Sequence, residues 1–203
     1  WSTPSLTRTE KVKLPTRQSR NRILLVDDDP GYCLITSSVL RAGGFIVDEV
    51  TTGTEAIKYV KKQLPDLILL DAMMPDIDGF ETCRLLKQDP ALTDISIIMA
   101  TGMDDVDSIH KAFEAGATDF IAKPINYPIL IQRVNFGLRT GQIAAELRNS
   151  KLQLSAAQRI ARLGYWTWDT ERDQFTISDQ LAELCGIDLK IFDGSLAGFI
   201  QLV

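Results

Sequence analysis

Asp27, Asp28 and Asp71 are the residues whose type and setting could do chemistry. Asp71 closes the apolar run Leu67-Ile68-Leu69-Leu70, and Ala72-Met73-Met74-Pro75 follows it. Asp27-Asp28-Asp29 follows Ile23-Leu24-Leu25-Val26, Thr101 follows Ile95-Ser96-Ile97-Ile98-Met99-Ala100, and Lys123-Pro124 follows Phe120-Ile121-Ala122. Short apolar runs of this kind suit strands buried on both faces. Open α/β sheets place their ligands at the carboxyl ends of such strands. Three carboxylates meeting there repel, so the cluster of Asp27, Asp28 and Asp71 calls for a hard divalent cation. Oxygen-only ligands with room for water suit Mg²⁺ or Mn²⁺. An Asp71 oxygen left free would be a nucleophile. Lys123 could neutralise charge on an incoming phosphoryl group, and Thr101 could hydrogen-bond one of its oxygens. Phosphoryl transfer is mostly positioning and charge stabilisation, so this inventory suffices. No general base is required, because a carboxylate is already ionised near pH 7.

The elements that position these residues alternate strand and helix from Arg22 onward. Strands are expected at 22–26, 45–50, 66–70, 95–100 and 118–122. The first helix runs from about Pro30 to Arg41 and stops at Gly43-Gly44. Thr54 is read as the cap of a helix over 55–63, and a third helix spans 79–88 with Cys83, Leu85 and Leu86 inward. Asp104-Asp105 opens a fourth, whose stripe is Val106, Ile109 and Phe113 and whose end is Gly116. The fifth begins near Pro128. Five βα units argue for an α/β fold with a doubly wound parallel sheet and helices on both faces.

Helix five carries two apolar stripes: Ile131, Val134 and Leu138 on one side, Ile129 and Phe136 on another. One packs on the sheet and the other invites a partner. Beyond Gly141, the residues Ile143, Leu147, Ser150, Leu154, Ala157 and Ala161 keep heptad-like spacing, which predicts a parallel dimeric coil. A single amphipathic linker helix on its own domain is the alternative. From Gly164 the alternation of Tyr165–Trp168 and Asp173–Ser178 reads as a β-hairpin, with Trp166 and Trp168 on one face and Phe175 beside them as core or interface residues. Ser178 caps a helix over 179–185 that Gly186 ends, and another helix starts near Ser195. So small a segment makes a poor independent core, so a second domain cut short at Val203 is expected. A chain that opens on Trp1 likewise reads as a piece of a longer one.

Net charge is −5, but residues 1–22 carry +5 and the rest −10. The basic segment could touch nucleic acid or an acidic surface, but reads more simply as a solvated, disordered tail. No stretch approaches the roughly 20 apolar residues of a membrane span, and no secretory signal is visible. Cys33, Cys83 and Cys185 form no CxxC pair and read as reduced, mostly buried thiols of a cytoplasmic protein. His110, the sole histidine, takes a surface or packing role. No helix-turn-helix or basic recognition helix follows Arg139, so direct nucleic-acid binding is not expected.

The residues from Arg22 to about Arg139 resemble a response-regulator receiver domain of two-component signalling. The matching motifs are Val26-Asp27-Asp28-Asp29-Pro30, Leu70-Asp71-Ala72-Met73-Met74-Pro75, Ala100-Thr101 and Lys123-Pro124. The resemblance implies a flavodoxin-like strand order, 2-1-3-4-5. It implies that Asp71 accepts a phosphoryl group from a histidine kinase or phosphotransfer protein. It implies Mg²⁺ held by Asp28, Asp71 and the Met73 carbonyl, with Asp27 acting through water. Thr101 and Phe120 match the pair that rearranges on phosphorylation, and Lys123-Pro124 matches a bond usually cis. Asp29 reads as a loop residue, and Asp76 and Asp78 as turn residues. Met73 and Met103 flank the site, either excluding water or only packing.

The segment from about Ser155 is similar to the start of a PAS sensor domain, on Ala157–Asp169 and Ser178-Asp179. The expected layout is a tail at 1–21, a receiver at 22–140, a helical linker at 141–162 and a truncated PAS-like domain at 163–203. The order resembles cyclic-di-GMP regulators, which makes a diguanylate cyclase or phosphodiesterase the first expectation for a missing output domain, and a histidine kinase the second. Within this chain, no enzyme activity beyond receiver self-phosphorylation and dephosphorylation is expected. The competing readings are a pseudo-receiver acting as a dimerisation or interaction module, the receiver of a hybrid histidine kinase, and a phosphohydrolase with Asp71 as nucleophile. Met73 argues against the last, since many such enzymes carry an acid at that position.

Overall fold

The computed structural model describes residues 21–102, 106–172, 174–189 and 191–202. Residues 1–20, Met103, Asp104 and Asp105 lie outside them, and with them most of the expected basic tail and the acidic opening of helix four. The chain divides into two compact units, 1–141 and 142–203.

In the first unit the strands are β1 (Arg22–Val26), β2 (Ile46–Val50), β3 (Leu67–Asp71), β4 (Ser96–Thr101) and β5 (Asp119–Ala122). They form one parallel sheet in the order β2-β1-β3-β4-β5. The helices are α1 (Pro30–Ala42), α2 (Gly53–Val60), α3 (Gly79–Lys87), α4 (Val106–Glu114) and α5 (Tyr127–Ile160), the last crossing the boundary between the units. The flavodoxin-like expectation therefore holds. Because side chains alternate along a strand, the sheet divides the core in two. Leu24, Val26, Ile68, Leu70, Ile97 and Met99 face α2, α3 and α4. Ile23, Leu25, Leu67, Leu69, Ile98 and Ile121 face α1 and α5. Every residue of β3 and β4 is buried, which explains their unbroken apolar runs.

Three local expectations need correction. The cap of α2 is Thr52, whose hydroxyl accepts the Glu55 N–H at 3.2 Å; Thr54 instead donates to Asp76 Oδ2 at 2.9 Å. On α4 the described buried positions are Ser108 and Ala112, with Ala115 buried just past its end, while Ile109 is half-buried, Phe113 is 48% exposed and the Val106 side chain lies outside the described residues. Phe113 lies edge-on to Phe120, with centroids 6.1 Å apart. On α3, Thr82 is buried with Cys83 and Leu86, and Leu85 is only half-buried.

The part of α5 in this unit buries Leu130, Val134, Gly137 and Leu138, with Ile131 partly buried against the same core. Ile129 and Phe136 are 47% and 65% exposed, as the second stripe implied. At Gly137 the helix comes close to the sheet. A Cβ there would lie 2.9 Å from Leu67 Cδ1, and its carbonyl accepts from Ser96 Oγ at 2.8 Å.

The second unit begins with the rest of α5, which exposes Ile143, Leu147 and Leu154. Strands β6 (Trp166–Asp169) and β7 (Gln174–Ile177) form an antiparallel pair with Trp168 opposite Phe175. Trp166 stacks on Phe175 with centroids 5.3 Å apart. Helix α6 (Asp179–Cys185) is capped by Ser178 and ended by left-handed Gly186, and α7 spans Leu196–Leu202. Phe175, Ile177, Ala182 and Ile187 make its small core. Among the described residues, no helix is long and apolar enough to cross a membrane.

Candidate functional site

Pairing of β1 with β3 sets Val26 beside Leu70, so the residues that follow each strand meet at the same sheet end. Oxygens of Asp27, Asp28 and Asp71 all lie within 4.8 Å of one another. Asp27 and Asp71 are buried and Asp28 is exposed, giving the pocket a closed floor and an open rim. Lys123, just beyond β5, reaches across the end of β4. Its Nζ lies 2.8 Å from Asp27 Oδ2 and 3.0 Å from Asp71 Oδ2. The other Asp27 oxygen accepts the Asp29 N–H at 3.0 Å.

Burial pushes the Asp71 carboxyl above its usual range, against the Lys123 hydrogen bond and a hydrogen bond from the Met73 backbone N–H. Burial pulls Lys123 down, but its bonds to Asp27 and Asp71 outweigh that and raise it. The ammonium therefore stays charged. It also lies 4.5 Å from the centre of the Tyr32 ring.

The supporting loops are held by local bonds. Asp29 is a helix cap and not a plain loop residue: its Oδ1 accepts the N–H groups of Gly31 at 2.7 Å and Tyr32 at 3.2 Å. Asp78 caps α3 in the same way, through the Glu81 N–H at 2.7 Å. Asp76 takes a left-handed φ of 77° in the turn after Asp71. Thr101 is buried at the end of β4, beside Ala122. Phe120 is half-buried, with the Arg133 guanidinium 5.7 Å from its ring. Met73 is exposed, and Lys123-Pro124 is cis. His110 is on the surface, beside Glu114.

Asp27, Asp28, Asp71 and Lys123 thus converge, Thr101 ends the neighbouring strand, and Phe120 lies two strand positions behind Ala122. Tyr32 and Asp29 were not among the expected participants. The Asp29 cap was legible, since an Asp directly before a first-turn Pro is a helix-start pattern. Tyr32 carried no such signal.

A five-stranded doubly wound sheet with an acidic pocket and a lysine at its carboxyl edge defines a receiver-type signalling domain. Residues 23–135 match the response regulator receiver domain family, and the chain belongs to that family. It is 37% identical over 123 residues to the DNA-binding response regulator MtrA of Mycolicibacterium smegmatis, covering 61% of this chain and 53% of that one. It is 38% identical over 150 residues to the response regulator PleD of Caulobacter vibrioides, covering 70% and 33%. The chain therefore spans only about a third to a half of these relatives. Among solved structures it resembles a putative response regulator from Chloroflexus aurantiacus (35% identity, TM-score 0.58, 59% of this chain and 98% of that one). It also resembles the receiver domain of a signal transduction histidine kinase from Syntrophus aciditrophicus (34%, 0.56, 59% and 90%). Receiver domains are phosphorylation-activated switches of two-component signalling, act with histidine kinases or phosphotransfer proteins, and bind Mg²⁺ at an acidic pocket. The all-carboxylate donor set at Asp27, Asp28 and Asp71 fits such an ion.

Proposed function

We propose that Asp71 is the phosphoacceptor of a switch driven by a histidine kinase or phosphotransfer protein. The supporting observation is the position of Asp71: buried, within reach of two further carboxylates, and ion-paired at 3.0 Å to Lys123. An Asp71 oxygen forms a bond to phosphorus as the donor's phosphorus–nitrogen bond breaks. The departing imidazole keeps that electron pair and takes up a proton. Lys123 then bonds a phosphoryl oxygen in place of the Asp71 carboxylate. The Thr101 hydroxyl takes another, and Phe120 follows it inward. Asp27, Asp28 and Asp71, with the Met73 carbonyl, would hold Mg²⁺ (or Mn²⁺), which when bound supplies charge neutralisation for the phosphoryl group.

The output passes through the face of α4, β5 and α5 to the helical linker at 141–162. The exposed Ile143, Leu147 and Leu154 support a parallel homodimer through that linker. Downstream lie a PAS-like domain at 163–203 and an output domain, for which a diguanylate cyclase or phosphodiesterase is the first reading. That last step rests on the order of segments. A cytoplasmic location follows from the kinase partner.

Intact-mass spectrometry after incubation with acetyl phosphate tests the chemistry, with and without Mg²⁺ and beside Asp71→Asn. A single phosphoryl adduct that needs both Mg²⁺ and Asp71 is expected. A folded protein that binds no Mg²⁺ and forms no adduct would leave a pseudo-receiver scaffold as the answer. Light scattering on the same samples reads the assembly state.

A further inference from the structure

We propose that Tyr32 is a positioning residue for phosphoryl transfer, its ring holding the Lys123 ammonium in place; this rests on the reading of Asp71 as phosphoacceptor. Lysine carries its charge on a flexible four-carbon stem and needs outside contacts to fix it. Lys123 has three. Two are the Asp27 and Asp71 carboxylates, at 2.8 and 3.0 Å, and the third is the Tyr32 ring at 4.5 Å. The chemistry consumes one of these, because Asp71 loses its charge when it becomes an acyl phosphate. Asp27 alone would let the ammonium pivot. Asp27 and the ring together keep it fixed while it exchanges Asp71 for a phosphoryl oxygen.

The ring is itself held by the loop that holds Asp27. Asp29 caps α1 by accepting the Tyr32 N–H at 3.2 Å, and its own N–H donates to Asp27 Oδ1 at 3.0 Å. Both lasting anchors of Lys123 therefore hang on one turn. The contact is also sheltered, since the Lys123 side chain is only 14% exposed. A cation over an aromatic face gains most where water is excluded. The ring face meets the charge, so the hydroxyl is dispensable to this role.

The test is the rate of Mg²⁺-dependent adduct formation with acetyl phosphate. Tyr32→Leu and Tyr32→Met, which keep apolar bulk without a ring, are expected to slow it about 3- to 10-fold, the size a sheltered cation–π contact supports. Tyr32→Phe is expected to rescue the rate. In a Lys123→Ala background Tyr32→Leu should cost nothing further, because the group it positions is gone. In nuclear magnetic resonance spectra, the ring-current displacement of the Lys123 ε-methylene should vanish in Tyr32→Leu and persist in Tyr32→Phe. Unchanged rates in Tyr32→Leu, or an equal loss with and without Lys123, would overturn the proposal while leaving Asp71 as acceptor. Absence of any adduct in the unmodified protein would overturn the Asp71 reading, and the role of Tyr32 with it.

Discussion

Gly79, the first residue of α3, presses against the backbone of Asp71. A Cβ at Gly79 would lie 2.0 Å from the Asp71 carbonyl oxygen and 2.7 Å from Ala72 Cα, and the Gly79 N–H donates to the Ala72 carbonyl at 3.0 Å. The start of α3 thus clamps the strand end that carries the site. Gly79→Ala must push that backbone aside, because the obstructing atoms are main chain. A loss of about 2–3 kcal/mol is expected, the upper part of the range for overpacking, measured by urea unfolding. A variant as stable as the parent would show that the clamp yields freely.

Much of this arrangement was legible in the sequence, because strands punctuated by acids, Gly and Pro leave strong marks. The ends of β1, β3, β4 and β5 delivered Asp27, Asp71, Thr101 and Lys123 to one edge as expected. What stayed hidden has physical reasons. Among the described residues the buried positions of α4 are Ser108 and Ala112, followed by Ala115 just past its end, small residues that carry little hydrophobic signal, so Phe113 drew the stripe toward itself. Thr52 and Thr54 are both plausible caps by type. The Thr52-x-x-Glu55 spacing was the deciding clue, and Glu55 Oε2 reaches back past the cap to accept the N–H of Thr51 at 2.9 Å. Tyr32 over Lys123 joins residues 91 positions apart through side-chain direction alone, which no local pattern encodes.

Removing Lys123 should destabilise the domain and make it lean on metal. With side-chain exposures of 14% for Lys123 against 5% and 6% for Asp27 and Asp71, the ion pairs are largely shielded from water. Lys123→Met would leave two buried carboxylates facing each other, at a cost of about 3 kcal/mol, the lower part of the range for breaking a buried pair. Mg²⁺ at about 100 times its dissociation constant can restore up to about 2.7 kcal/mol. Thermal unfolding with and without MgCl₂ measures both effects. If Mg²⁺ shifts neither protein, the carboxylates do not form a metal site.

Asp76 combines a left-handed backbone with a bond from Thr54, and the two can be separated. Asp76→Ala keeps an unfavourable φ and loses the bond, for a cost of about 1–2 kcal/mol. Asp76→Gly loses the bond but relieves the backbone, so it should fall within about 1 kcal/mol of the parent. Thr54→Val isolates the bond alone. Should Asp76→Ala match Asp76→Gly in a denaturant titration, the φ carries no cost there.

Thiol labelling should divide the cysteines. Cys185 is exposed, whereas Cys33 and Cys83 are buried and burial pushes both thiols up to about 11. Only the thiolate reacts, so Ellman's reagent at pH 8 should modify Cys185 promptly and the other two only on unfolding. Prompt release of three equivalents from native protein would contradict this burial.

The far edge of the sheet carries a tyrosine whose ionisation is linked to folding. Tyr59 on α2 donates to Asp48 Oδ2 at 2.6 Å, and Arg22 donates to the same oxygen. Burial, with the bond to Asp48, raises the Tyr59 phenol to about 12. In the unfolded chain a tyrosine titrates near pH 10. Between those values the unfolded state has released its proton and the folded state retains it. The Tyr59 contribution is therefore complete below about pH 10 and is lost as pH rises toward 12. Unfolding free energy should fall across that window, and fall less steeply in Tyr59→Phe. The same substitution costs about 1–2 kcal/mol at pH 7, because Asp48 loses a charge-assisted donor. Absorbance at 295 nm offers an independent reading. One tyrosine should titrate late in the parent and be missing from the variant, and identical titration curves would show that Asp48 does not hold the phenol proton.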